Sequence, residues 1–269
     1  MVTFPPCKIN LGLHVIEKRP DGFHNLETCF YPVQWTDILE IVKADRFGFS
    51  SSGNPIPGAI DQNLCIKAYN LLAGDYNLSP VQIHLHKIIP IGSGLGGGSA
   101  DAAYTIRLLN EIFELRLSAQ EMMSYAAQLG SDCAFFIQNS PMIGKGRGEL
   151  LSEIHLDLRG KFLVLVNPNI HVSTAEAYAG VRPVLPSSGI PDILKRPIIE
   201  WRDLLKNDFE ASVFEKYPSI MELKNSLYAL DAVYASMSGS GATVFGIFDA
   251  PIDVTKHFAD STAWAGYIS

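Results

Sequence analysis

The chain has 269 residues, 47% of them hydrophobic and 18% charged, with a formal net charge of −7. That is enough for one large or two modest domains with real cores, and the composition excludes a disordered chain. The acidic balance, with no Lys/Arg-rich block, excludes bulk binding to a nucleic-acid backbone, and no apolar run approaches the ~20 residues of a membrane helix.

In chain order, residues 7–15 alternate Ile9, Leu11, Leu13 and Val15 with Lys8, Asn10 and His14, the pattern of a half-buried strand with its polar residues on one face. A turn at 19–22 leads to a second strand at 23–30, and 37–42 reads as a third. Residues 50–58 form a Ser/Gly/Pro loop, 63–73 a helix and 81–86 a short strand. Helices follow at 101–115 and 118–129, the second opened by a Ser118/Glu121 capping box. A strand lies around 142–145 and a turn at 146–149. Then come an apolar strand at 161–167, a helix capped by Ser173, and a loop at 183–197 with four prolines. Helices are expected near 201–205, 208–217 and 219–230, and strands at 234–237 and 242–248 about the glycine turn 238–241. Nothing is assigned after Phe248. Mixed strands and helices with hairpin-like spacing favour α+β over a doubly wound parallel sheet.

Cys7, Cys29, Cys65 and Cys133 lie far apart without zinc-ligand spacing, so free thiols in a reducing cytoplasm are expected. The first seven residues carry two prolines and no long apolar core, unlike a signal peptide.

The chain is organised around Pro90-Ile91-Gly92-Ser93-Gly94-Leu95-Gly96-Gly97-Gly98-Ser99, which has five glycines in seven positions and runs into a helical pattern. Such a loop turns unpaired N–H groups onto one point at the positive end of a helix, and this holds a phosphate chain. No Lys precedes Ser99, so it is not the common P-loop. Glu111 and Glu114 sit in a helical run where a dinucleotide fold needs a strand ending in an acid, and the strand of a protein-kinase loop is absent.

Lys8 and Asp132 both sit in apolar surroundings, where charges tend to be paired. They are a structural bridge, two separate solvated charges, or a catalytic pair in which Asp132 accepts a hydroxyl proton and Lys8 holds it ionised. Ser99 is either a helix cap or a Mg2+ ligand beside the phosphates. Phe23 and His24 are either sheet residues or a surface that stacks on and hydrogen-bonds a base.

As a set these motifs resemble the GHMP kinases. The phosphate loop at 90–99 and the late motif Met237-Ser238-Gly239-Ser240-Gly241-Ala242-Thr243 match that superfamily. Three further segments are similar to the members that phosphorylate 4-diphosphocytidyl-2-C-methyl-D-erythritol: Lys8-Ile9-Asn10-Leu11, Arg19-Pro20-Asp21-Gly22-Phe23-His24, and Gly130-Ser131-Asp132. Phe23 stands where those members usually have Tyr, and Cys7 where they have Ala.

The resemblance implies a two-lobed α+β fold, with a ribosomal-protein-S5-like ATP lobe over 1–155 and a ferredoxin-like lobe over 156–269. It implies ATP-dependent phosphorylation of the 2-hydroxyl of that acceptor in isoprenoid precursor synthesis, with ATP and Mg2+ as cofactors. By position it makes Lys8 and Asp132 catalytic and puts Asn10 at the acceptor hydroxyl. Cytosine would lie between Phe23 and Tyr178, bonded by His24, with Thr174 near the acceptor diphosphate or erythritol. Lys87 and Asn63 would rim the adenine pocket. The expected partners are the cytidine-linked small molecule and ATP, in a cytoplasmic monomer or weak dimer without nucleic acid or membrane. The alternatives are a mevalonate- or homoserine-type kinase and a catalytically silent nucleotide-binding regulator.

Overall fold

A computed structural model describes residues 1–268. The strands are β1 (Val2–Thr3), β2 (Pro6–Lys18), β3 (His24–Thr36), β4 (Ile38–Lys43), β5 (Gly48–Gly53), β6 (Val81–Lys87), β7 (Met142–Gly146), β8 (Leu150–Glu153), β9 (Phe162–Asn167), β10 (Tyr234–Met237), β11 (Val244–Phe248) and β12 (Thr262–Tyr267). The α-helices are α1 (Leu64–Tyr76), α2 (Gly97–Ile112), α3 (Ala119–Leu129), α4 (Cys133–Gln138), α5 (Thr174–Gly180), α6 (Ile190–Leu194), α7 (Trp201–Leu204), α8 (Glu210–Lys216), α9 (Pro218–Ala229) and α10 (Val254–His257). The α+β class expected from the sequence is the class observed.

The chain forms two compact units, and neither is one run of sequence. The first comprises Met1–Lys8, Pro32–Ile91 and Gly96–Ser140; the second comprises Ile9–Tyr31, Gly92–Leu95 and the chain from Pro141 onward. Residues 9–31 and 92–95 therefore group with the later part of the chain, which a single cut at 155 does not express.

In the first unit a four-stranded sheet runs β1-β4-β6-β5. β6 pairs antiparallel with β4 and parallel with β5. Its side chains alternate, so Val81, Ile83, Leu85 and Lys87 share the buried face. Helix α2 packs on α1, α3, α4 and β4. Alanines at 100, 102 and 103 favour the helix and, being small, allow that close approach on several sides. Ser118 and Glu121 form the expected capping box of α3.

In the second unit an antiparallel sheet runs β10-β11-β9-β12. Every residue of β9 is buried, and Val164 and Val166 join Phe209, Ile220, Leu227 and Phe248 in one core. A further sheet has the order β2-β3-β7-β8.

Several expectations are corrected. β2 is not half-exposed: Lys8, Asn10 and His14 are buried like their apolar neighbours on a strand covered on both faces, with Lys8 paired to Asp132 and Asn10 bonded to Thr28. β3 runs on to Thr36, well beyond residue 30. The supposed loop at 50–58 begins inside β5, where Ser50 and Ser52 hydrogen-bond His84 and His86 of the paired strand. α2 starts at Gly97 rather than residue 101, since packing overrides the low helix propensity of two glycines. The proline-rich loop holds α6, with Pro191 in its first turn. The stretch after Phe248 supplies α10 and β12, and β12 pairs with β9 along its whole length.

Candidate active site

The glycine loop joins β6 to α2. Because α2 opens at Gly97, the first intrahelical bond is from the Ala100 N–H to the Gly96 carbonyl at 2.9 Å. The N–H groups of Gly97, Gly98 and Ser99 thus have no intrahelical acceptor and face the loop at the positive end of the helix. Ser93 and Leu95 are buried and fasten the loop, while Ile91 is exposed. Gly94 has φ +79°, and a Cβ there would collide with the Ser238 carbonyl oxygen. That close approach is what the glycine permits.

In the first unit, Lys8 Nζ lies 3.7 Å from Asp132 Oδ2, so the structure brings these two expected residues together. The Lys8 side chain is buried, with Cε 3.3 Å from where a Cβ on Gly96 would stand. Lys8 is therefore packed directly against the glycine loop. Burial pulls its ammonium pKa down, opposed by the Asp132 charge. Asp132 opens α4 without bonding its own helix, and its carboxylate is partly exposed. The next residue, Cys133, has its thiol hydrogen-bonded to Ser99, and burial pushes that thiol up to about 12. Asp132, Ser99 and the start of α2 are thus held by a common packing arrangement.

In the second unit, Asn10 is buried and donates through Nδ2 to Thr28 Oγ1 at 2.9 Å. Its backbone N–H donates to Ser238 Oγ at 3.3 Å, and that hydroxyl donates to the Gly94 carbonyl at 3.0 Å. Ser238, from the late glycine motif, thereby links Asn10 to the first glycine loop. The His24 and Tyr178 rings stack at 4.9 Å, and Phe209 meets Tyr178 edge-on. Burial and the charge of Lys18 lower the His24 pKa, favouring a neutral imidazole. Phe23 is 52% exposed, and the Arg147 guanidinium lies 4.9 Å from its ring centroid. Thr174 and Ser240 hydroxyls are 3.4 Å apart.

Lys87 does not stand open at a rim. Lys87 is 4% exposed; its ammonium pairs with Asp37 and donates to Asp101 Oδ2 at 2.9 Å. β6 is one residue longer than the sequence pattern suggested, which puts Lys87 on the inward row. Burial opposes the Lys87 charge, but Asp101 and Asp37 outweigh it and hold its pKa above the ordinary value. Asn63 caps α1, accepting from the Cys65 N–H at 2.9 Å. Sequence reasoning passed over Asp37, Asp101, Arg147 and the Ser238 link. Only the inward parity of Lys87, shared with Val81, Ile83 and Leu85, offered a signal for the first two.

The family model for the GHMP kinases N terminal domain matches residues 63–140, and that for the GHMP kinases C terminal matches residues 190–258. A 4-diphosphocytidyl-2-C-methyl-D-erythritol kinase of Cytophaga hutchinsonii is 56% identical over 250 residues, covering 93% of each chain. One of Parabacteroides distasonis is 45% identical over 271 residues, covering 100% of each. The crystal structure of a 4-(cytidine 5'-diphospho)-2C-methyl-D-erythritol kinase superposes with a TM-score of 0.85 at 30% identity, covering 99% of this chain and 98% of that one.

Proposed function

The chain belongs to the 4-diphosphocytidyl-2-C-methyl-D-erythritol kinases, within the GHMP kinases, and we propose that it transfers the γ-phosphoryl group of ATP to the 2-hydroxyl of that cytidine-linked acceptor. It is a small-molecule kinase. The observation that carries the reading of the site is the Lys8–Asp132 pair at 3.7 Å, with Lys8 packed against Gly96 of the phosphate loop.

The N–H groups of Gly97, Gly98 and Ser99 bind the β- and γ-phosphates. Asp132 accepts the proton of the acceptor hydroxyl as its oxygen bonds to the γ-phosphorus; the bond to the β–γ bridging oxygen breaks and ADP leaves. Lys8 places positive charge beside the transferring group and pairs with Asp132. Asn10 orients the hydroxyl, and Thr174 lies by the acceptor's diphosphate or erythritol. Phe23 and Tyr178 hold cytosine, with His24 as hydrogen-bonding partner.

Ser99 is a hard-oxygen donor at the start of α2, and no group of three or more His, Cys, Asp or Glu suited to a metal occurs among the described residues. Such a donor set fits Mg2+, which is held chiefly by phosphates and water with one or two protein oxygens. When bound, Mg2+ neutralises charge on the β- and γ-phosphates, and Ser99 would hold it.

The test is ATP consumption with Mg2+ and the diphosphocytidyl acceptor, mevalonate or homoserine offered separately. Turnover with the cytidine compound alone is expected. Turnover with another acceptor would overturn the roles of Phe23, His24 and Tyr178. No turnover in folded, ATP-binding protein would leave a nucleotide-binding regulator.

A further inference from the structure

The buried charges beside the phosphate loop have no part in the phosphoryl transfer just described. Asp37 lies at the junction of β3 and β4 and is fully buried. Its Oδ1 accepts from the backbone N–H of Ile88 at 2.6 Å and of Ile89 at 2.8 Å; its Oδ2 takes the Lys87 ammonium. The same ammonium donates to Asp101, one turn into α2. Ile88 and Ile89 lead the chain into the glycine loop, and Asp101 stands on the helix that leads it out. Both necks of the loop are thus fastened to one cluster. The ammonium also lies 2.9 Å from where a Cβ on Gly97 would stand, so it sits against the first residue of α2.

We propose that Lys87, bridging Asp37 and Asp101, is a positioning residue for ATP: it clamps the two ends of the phosphate loop so that the N–H groups of Gly97, Gly98 and Ser99 are set before nucleotide arrives. Three observations favour a clamp over a buried ion pair retained for stability alone. Asp37 spends one oxygen on two consecutive backbone N–H groups of the entering chain, which fixes backbone rather than side chain. Lys87 reaches the exiting helix within its first turn, where the phosphate-binding N–H groups are. And a cation at the positive end of a helix is unfavourable unless anions compensate it, which both carboxylates do.

The proposal rests on 90–99 being the ATP loop, and its test reads nucleotide binding separately from turnover. Binding of Mg2+ with a non-hydrolysable ATP analogue is measured by calorimetry, beside steady-state kinetics, for wild type, Asp101→Asn, Lys87→Met and the double variant Lys87→Met/Asp101→Leu. Asp101→Asn keeps an acceptor for Lys87 and is expected to bind within about threefold of wild type. Lys87→Met leaves two buried carboxylates facing one another and can fail to fold. The double variant removes the Lys87–Asp101 pair and leaves Asp37 with the Ile88 and Ile89 N–H groups but no cation. It is expected to melt lower yet stay folded, and to weaken the analogue at least about tenfold, with acceptor KM within about twofold. A folded double variant with wild-type analogue affinity overturns the clamp, as does an equal rise in both KM values. Wild-type protein that binds no analogue would instead overturn the assignment of the loop itself.

Discussion

In the proposed mechanism Asp132 and Lys8 divide the work by environment. The carboxylate keeps solvent access on the first residues of a short helix, while the lysine is sealed against Gly96. Asp132→Asn keeps the shape and removes the base, so kcat should fall by about 10²–10⁴ while KM for ATP changes less than about threefold. Steady-state kinetics with wild-type turnover would remove Asp132 from the mechanism. His24 makes a different prediction. Its pKa is lowered by burial and by Lys18, so the neutral ring persists below the usual imidazole range. Acceptor KM should therefore stay flat as pH falls from 7.5 to the ordinary histidine value of about 6.5 and rise only below it. His24→Gln should abolish that rise, and an unchanged acid limb would mean another group titrates.

At the scale of an element, the glycine loop holds two kinds of glycine. At Gly94 the backbone is left-handed and the Ser238 carbonyl occupies the place of a Cβ. At Gly98, the second residue of α2, the nearest atom to such a Cβ is Leu64 Cδ1 at 4.0 Å. Gly94→Ala should lose more than about 1 kcal/mol of stability through the left-handed strain alone, with the clash added to it. Gly98→Ala should be neutral or gain about 0.4–1 kcal/mol. Thermal melts of the two variants decide this, and equal effects would show that the loop adjusts freely. The glycine loop between a strand and a helix was legible, because so many glycines in seven positions mark a special backbone. The start of α2 was not legible: propensity disfavours Gly97 and Gly98, and burial on α1, α3 and α4 outweighs it.

For the whole molecule, β12 shows what sequence periodicity misses. Residues 262–267 give no clear alternation, yet they pair with all of β9, the strand at the centre of the second unit's core. Deleting residues 261–269 would leave the β9 edge unpaired, and an open apolar edge recruits other strands. The truncated protein should melt lower and scatter light in a concentration-dependent way. A soluble truncation with an unchanged melting curve would show that β12 is dispensable. No helix among the described residues is long and apolar enough to cross a membrane.

The α+β class, the glycine loop ahead of α2, the Ser118 and Ser173 caps and the family could all be read without the fold. These are local signals, written in glycine spacing, cap residues and periodicity. The tertiary structure alone decided which distant residues meet. Lys8 and Asp132 are joined by folding, since nothing in their spacing states a distance. Lys87 moved from an expected pocket rim to the interior because one added strand residue puts it on the buried face, where Asp37 and Asp101 supply the opposite charge. Charge pairing across long sequence separations depends on registers and packing that no local window contains.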